Sequence, residues 1–274
     1  MKHYGILAFP TGHSRSPEMQ NAAFQHLKID AVFERYEIPP EKLAEFFQEN
    51  FRKERKIEGL AVSIPHKESI LPFLGLIDEA AKKIGAVNTV FWNDGKICGT
   101  NTDWVGFSKS LKEEYDVRGK RVLILGAGGV ARAIIYALIK SKAEKVVIAN
   151  RTEEKAKKLA EEFGVEWKTI SDCDPDEFDL IVNATPIGMR GKFEGISPLS
   201  NYFWKAHHTA FDVVYTPEET QFLKDAKKSG AQTISGKKMF LFQGMAQFKI
   251  WTGENAPESI MIQALQNISE GDLK

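Results

Sequence analysis

Cysteine is scarce in this chain. Cys98 and Cys173 are the only two among 274 residues, they stand in unrelated contexts, and they form no Cys-x-x-Cys pair. A disulfide framework is therefore not expected, and a reduced compartment is. Net charge is missing too, since 37 basic side chains stand against 37 acidic ones. No excess of either sign draws the chain to nucleic acid or to an anionic membrane. No apolar run approaches the roughly 18 residues of a membrane span. The stretch 1–10 is too short and too mixed for a signal peptide, so a cytoplasmic protein is expected. The six histidines show no His-Glu-x-x-His or other ligand spacing, and no metal site is expected. There is no internal repeat and no low-complexity linker. What is present is an ordinary globular composition, 43% hydrophobic and 27% charged, with length for one large domain or two ordinary ones.

The order of elements is regular from residue 120 onward. Apolar runs predict strands at 121–125, 145–149, 178–185 and 209–214, with helices at 130–140 and 153–163 between the first of them. Thr216-Pro217-Glu218-Glu219 reads as a helix start, with Pro in the first helical position. The first hundred residues alternate as well, with strands at 4–9, 32–38, 59–64 and 87–92 and helices at 17–27, 40–51 and 78–84. A helix at 103–115 connects the halves, and helices at 238–251 and 257–268 close the chain. Strands alternating with helices mean mostly parallel sheets, here in two α/β units.

Gly126-Ala127-Gly128-Gly129-Val130-Ala131 follows a strand and opens a helix. It fits Gly-x-Gly-x-x-Ala, a pyrophosphate-binding pattern. The first glycine permits the tight turn, the second permits close backbone approach, and the small third residue packs helix on strand. The helix N-terminus adds free N–H groups and a positive dipole end. A unit that binds NAD usually ends its second strand with an acidic residue for the ribose hydroxyls. This chain has Asn150-Arg151-Thr152 there, with Lys155 one turn on. A guanidinium suits a 2′-phosphate, so NADP is the expected cofactor.

Four stretches of the first half gather polar groups at expected strand or helix ends. His13-Ser14-Arg15-Ser16-Pro17 opens a helix, where Ser16 before Pro17 reads as a cap. Val62-Ser63-Ile64-Pro65-His66-Lys67 ends a strand. Gly85-Ala86-Val87-Asn88-Thr89 starts one, and Gly99-Thr100-Asn101-Thr102-Asp103 starts a helix. Together they predict a pocket for a polyhydroxylated molecule, with a group for proton transfer.

These stretches resemble the shikimate dehydrogenase family along nearly the whole chain. The markers are Ser14-Arg15-Ser16-Pro17, Pro65-His66-Lys67, Gly85 to Thr89, Asn101 to Gly106, the glycine loop, Asn150-Arg151-Thr152, Asn183-Ala184-Thr185-Pro186 and Asp212 to Pro217. The resemblance implies a Rossmann-type, doubly wound NADP domain at 103–236. It implies a separate α/β substrate domain at 1–102 and 237–274, with the active site in the cleft between them. It implies NADP(H)-dependent reduction of 3-dehydroshikimate to shikimate, on the route to chorismate and aromatic amino acids, by a monomer or homodimer.

The resemblance also carries roles to residues. Lys67 matches the catalytic lysine, and Asp103 its partner carboxylate. Ser14, Ser16, Ser63, Asn88, Tyr215 and Gln243 join them on the substrate side. Ser63 departs from the commoner Thr but keeps the hydroxyl. Gly126, Ala127, Gly128, Gly129, Val130, Asn150, Arg151, Thr152, Lys155, Ala184, Thr185, Val213, Gly236 and Met239 match the cofactor side. Asp78 is carried to that side too, although the residues alone read it as a helix cap. His66 is read as structural. Two alternatives stand beside this reading. One is a sibling acting on quinate or a related cyclic acid, and the other is an NADP-binding regulatory module without turnover. The presence of both Lys67 and Asp103 speaks against the second.

Overall fold

The computed structural model describes residues 1–199 and 204–266. The chain divides into two compact units, one of Met1–Thr102 with the chain from Gln243 onward, the other of Asp103–Phe242.

The first unit begins with β1 (Lys2–Ala8), α1 (Ser16–His26), β2 (Ala31–Glu37), α2 (Leu43–Phe47) and β3 (Gly59–Val62). It continues with α3 (His66–Ser69), β4 (Leu76–Ile77), α4 (Glu79–Ile84), β5 (Thr89–Asn93) and β6 (Lys96–Thr100). Its six-stranded sheet has the order β2-β1-β3-β5-β6-β4. β1 runs parallel to β2 and β3, while β5 runs antiparallel to β3 and β6. The sequence assigns no element between 92 and 103, where the structure adds β6 and its hairpin with β5. Asn93 pairs with Lys96 across the two-residue turn Asp94-Gly95, both with positive φ. Asp-Gly is a strong short-range hairpin signal when apolar runs flank it, but 96–100 is thin in apolar residues. The expected helix at 40–51 is also revised. A 3-10 turn (Pro40–Lys42) precedes α2, and a π-helical turn (Gln48–Lys53) follows it. That segment buries Phe47 and Phe51, whose rings stack at 4.8 Å, against Leu60, Val62 and Val90.

The second unit begins with α5 (Asp103–Glu114), β7 (Arg121–Leu125), α6 (Gly129–Lys140), β8 (Lys145–Ala149) and α7 (Glu153–Phe163). It continues with β9 (Glu166–Lys168), β10 (Leu180–Asn183), β11 (Thr209–Asp212), α8 (Gln221–Lys228) and β12 (Gln232–Ile234). All its pairings are parallel, in the order β9-β8-β7-β10-β11-β12. Numbered within the unit this is 3-2-1-4-5-6, the dinucleotide-binding order, with its switch point between β7 and β10. Successive residues of one strand enter different cores. Val122, Ile124, Ile148, Leu180 and Val182 pack on one face, and Leu123, Leu125, Val147, Ala149 and Ile181 on the other. Burial on both faces is why these strands read as unbroken apolar runs. β9 and β12, three residues each, are too short for such a signal and were not foreseen.

The start of α8 is a correction. Thr216-Pro217 does not open a helix. Thr220 is the N-cap, its Oγ1 accepting from the Leu223 N–H at 3.4 Å, and the helix begins at Gln221. The chain ends in α9 (Gly236–Thr252) and α10 (Glu258–Gln266). Gln243 lies within α9, past the residue 237 where the sequence reading placed the junction. Residues 267–268 of the expected last helix lie outside the described residues. Phe248 and Trp251 of α9 meet Phe24, Tyr4 and Phe33 at ring-centroid distances of 5.3, 5.5 and 5.7 Å. Among the described residues, no helix is long and apolar enough to cross a membrane. None of their His, Cys, Asp and Glu side chains form a group suited to a metal ion.

Candidate active site

In the first unit the polar stretches meet where β1 and β3 end. The Ser63 N–H donates to Leu7 O at 2.9 Å, and the Phe9 N–H to Ile64 O at 3.0 Å. Ser63 O then accepts from the His66 N–H at 2.8 Å, turning the chain into α3, which carries Lys67. Val62 N–H donates to Asn88 O at 2.7 Å, and Val87 N–H to Lys67 O at 2.8 Å. Ser63, Lys67 and Asn88 thus belong to one hydrogen-bonded patch of backbone. His66 is fully buried, and its Nε2 lies 2.7 Å from Ile38 O. Facing a carbonyl, that nitrogen must be the donor. Burial holds the imidazole pKa below its ordinary value, so the ring is neutral.

The serine loop is held from β2. Arg35 Nη2 donates to Ser14 O and to Glu18 Oε1, both at 2.8 Å. Glu37 Oε2 accepts from the Thr11 N–H and hydroxyl at 2.8 and 2.9 Å, and these bonds keep its pKa low. The expected cap is revised here. Ser16 is already the first residue of α1, and it is Ser14 Oγ that accepts from the Ser16 N–H, at 3.2 Å.

Asn88 is buried and its amide orientation is fixed. Oδ1 accepts from Thr102 N–H at 2.7 Å and from Thr89 Oγ1 at 2.8 Å. Nδ2 donates to Thr102 Oγ1 at 3.0 Å and faces Gln243 Oε1 at 3.5 Å. Gln247 Nε2 donates to Asn88 O at 3.0 Å and to Thr89 Oγ1 at 3.2 Å. Thr89 and Thr102 belong to the polar stretches named in the sequence but carry no role of their own there, and Gln247 is not among them. The signal for the last was Gln243-x-x-x-Gln247, which puts two amides on one face of α9. Asp78 caps α4, with Oδ1 accepting from Ala81 N–H at 2.6 Å and Oδ2 accepting from the Thr100 hydroxyl. It lies in the first unit, whereas the glycine loop lies in the second.

The glycine loop leaves β7 at the switch point of the second sheet. Gly126 has φ +115°, and its N–H donates to Ala149 O at 2.8 Å. A β-carbon there would lie 3.0 Å from both Ala184 O and Thr185 Cγ2, so only glycine fits. Gly128 caps α6, and a β-carbon on it would meet nothing within 4 Å. The loop therefore leaves open space over the first, unbonded N–H groups of α6, as close approach of a pyrophosphate requires. Gly129 and Val130 are the first two residues of α6, and Ala127 and Val130 are half-buried against the core. Beyond β8, Asn150 Nδ2 donates to Thr152 O at 2.9 Å. Arg151 and Lys155 are exposed, with no acidic residue between Ala149 and Thr152. Ala184 N–H donates to Leu125 O at 2.8 Å. Gly236 abuts the end of β11, where a β-carbon would come within 2.4 Å of Val213 O. Met239 is buried in the core with Phe211 and Ile234. The Tyr215 ring stacks on Phe240 at 4.0 Å. Asp103, the first residue of α5, opens this unit directly after Thr102.

Strand order, glycine loop and helix N-terminus together define a Rossmann-type dinucleotide-binding protein with a second α/β unit. Family models match in three places. They are a shikimate dehydrogenase substrate-binding domain at residues 6–90, a shikimate/quinate 5-dehydrogenase domain at 108–187 and a shikimate 5′-dehydrogenase C-terminal domain at 238–266. The chain belongs to the shikimate dehydrogenase family. The NADP(+) shikimate dehydrogenase of Aquifex aeolicus is 43% identical over 267 residues, covering 97% of this chain and 96% of that protein. A shikimate dehydrogenase solved in complex with NADP+ is 39% identical, covers 98% of this chain and 96% of its own, and superposes with a TM-score of 0.91. The Thermus thermophilus enzyme, solved with NADP(H) and shikimate, is 35% identical over 97% of this chain and 99% of its own, with a TM-score of 0.87.

Proposed function

We propose that this chain is an NADP-dependent oxidoreductase that interconverts 3-dehydroshikimate and shikimate, on the route to chorismate and aromatic amino acids. One observation carries the reading: the likeness to NADP-dependent shikimate dehydrogenases runs through both units, over 97% of the chain. Bound NADPH supplies the hydride, and the chain's own residues orient the ketone and manage the proton. Lys67 donates a proton to the forming alkoxide, and takes it back in the oxidative direction. Asp103 holds the Lys67 ammonium and a neighbouring hydroxyl. Ser14 and Ser16, at the N-terminus of α1, donate to the substrate carboxylate near a positive dipole end. Ser63, Tyr215 and Gln243 hold ring hydroxyls. Asn88 has its Oδ1 taken by Thr89 and Thr102 and its Nδ2 donating to Thr102 Oγ1, so it meets the substrate with the N–H that faces Gln243 Oε1 at 3.5 Å and needs an acceptor there.

On the cofactor side the glycine loop and the start of α6 cradle the pyrophosphate. Arg151, with Asn150, Thr152 and Lys155, takes the 2′-phosphate, and Ala184, Thr185, Val213, Gly236 and Met239 line the nicotinamide end. We read Asp78 as the cap of α4. We also infer a cytoplasmic monomer or homodimer without a nucleic-acid partner, supported by equal basic and acidic counts of 37. The test is turnover of purified protein with shikimate and either NADP+ or NAD+, with quinate in parallel. Reduction of NADP+ by shikimate, faster than with NAD+ or quinate, is expected. Tight NADP+ binding without turnover would instead mark a regulatory module.

A further inference from the structure

The second unit carries a buried carboxylate at the ends of its strands that the reaction does not use. Asp212, the last residue of β11, is wholly shielded from solvent. Its Oδ1 accepts from Asn183 Nδ2 at 3.0 Å, at the end of β10, and from the Val214 N–H at 2.9 Å. Its Oδ2 accepts from Thr220 Oγ1 at 2.5 Å, the cap of α8. Asn183 extends the network. Its Oδ1 accepts from the Thr185 N–H and hydroxyl at 3.0 and 2.7 Å, and its Nδ2 donates to Ile187 O at 2.9 Å. Asn183 O accepts from the Val213 N–H at 3.0 Å. One carboxylate thus ties together both strand exits and the helix beyond them. The first exit packs on Gly126, and the second packs on Gly236. All three partners of the carboxylate are donors. An ionised acid accepts from all three, whereas a neutral acid or an amide keeps one acceptor oxygen for Asn183 and Val214 and turns its own donor toward the Thr220 hydroxyl, which must then accept instead of donate.

We propose that Asp212 is a positioning residue for the cofactor, its carboxylate fixing the β10 and β11 exits so that Ala184, Thr185 and Val213 keep their places beside the glycine loop. This rests on the NADP-dependent reading above. Wholly buried, it reaches neither ligand itself, and although Val214, which it holds, precedes Tyr215, its loss is expected to act mainly on the cofactor side.

The test compares D212N with wild-type protein by fluorescence titration of NADP+ and by steady-state kinetics. The dissociation constant for NADP+ is expected to rise about tenfold, and the KM for shikimate to change by less than about twofold. Where D212N does not fold, the pair T220V and T220S decides. T220V deletes the donor to Asp212 together with the α8 cap and is expected to weaken NADP+ binding about threefold, while T220S keeps the hydroxyl and restores it. A folded D212N, or a folded T220V, that binds NADP+ as wild type does overturns the proposal, whatever its melting temperature. Equal changes in both KM values overturn it too, because they mark a general loosening. Wild-type protein that binds no NADP+ overturns the functional reading, and this inference with it.

Discussion

Lys67 stands on a turn held from two sides. His66 ties it to Ile38 O, and Val87 N–H ties the Lys67 carbonyl to the strand that follows Asn88. A surface lysine changed to Ala shifts stability by under about 0.5 kcal/mol and leaves turnover alone. A lysine that manages the transferred proton behaves otherwise. Lys67→Ala and Lys67→Met are both expected to lose on the order of 10²–10⁴ in turnover with NADP+ affinity intact. Steady-state turnover beside a cofactor titration checks this. If Lys67→Met kept more than about a tenth of the rate, less than roughly 1.4 kcal/mol of transition-state stabilisation would be missing, and Asp103 would become the proton donor to test. Arg151 is exposed beyond the end of β8, and of the two cofactors only NADP carries the 2′-phosphate we propose it binds. Arg151→Ala is expected to weaken NADP+ binding roughly 10- to 150-fold, the worth of a charge-assisted contact, and to spare NAD+. Parallel titrations decide, and equal loss for both cofactors would assign Arg151 to stacking.

At the level of elements, α9 begins closer to its neighbour than a side chain allows. A β-carbon on Gly236 would sit 2.4 Å from Val213 O and 2.8 Å from Asp212 O. Backbone cannot swing aside as a side chain does. Gly236→Ala is therefore expected to cost on the order of 1–3 kcal/mol and to displace Val213. Urea midpoints and NADP+ titration measure the two effects, and an unchanged value for both would mean that α9 shifts freely. Gly236 entered the sequence reading only through the resemblance, because nothing near it in the chain signals contact with a strand end 24 residues earlier in number. The glycine loop, by contrast, was legible alone. Its strand, turn and helix are contiguous, and Gly126 and Gly128 have separate, local duties. The β5–β6 hairpin was equally local and was missed, since the apolar content of 96–100 is thin. The start of α8 misled for a different reason. Thr216-Pro217 has the composition of a helix start, but Thr220 supplies the oxygen that accepts from Leu223. The network around Asn88 was half legible. Its members come from residues 88, 89, 102, 243 and 247, and only packing brings the last pair to the first three.

For the molecule as a whole, buried titrating groups pull stability in opposite directions. Burial pushes Asp212 up to about 7 from an ordinary 3.8, against the lowering effect of its three hydrogen bonds. Folding thus favours its protonated form. That contribution is fully present below about pH 4 and is lost as pH rises through about 7. Burial lowers the pKa values of His66 and His208 below an ordinary 6.5, so their contribution is present above that value and fades as pH falls. Urea midpoints of wild-type protein are expected to fall between about pH 5 and about pH 8 by more than those of D212N. Parallel slopes in the two proteins would place the carboxylate's ionisation outside that range.

The first unit has a further property that shows only when the chain is followed in time. Its sheet is complete by Thr100, yet Phe248 and Trp251, which meet Tyr4, Phe24 and Phe33, come from α9. The slot for Trp251 is shaped early, with Gly59 leaving room for the indole and Val90 O accepting from its Nε1 at 3.0 Å. On a ribosome adding about 5–20 residues each second, that slot waits roughly 7–30 seconds while the whole second unit emerges. The half made first is the half finished last.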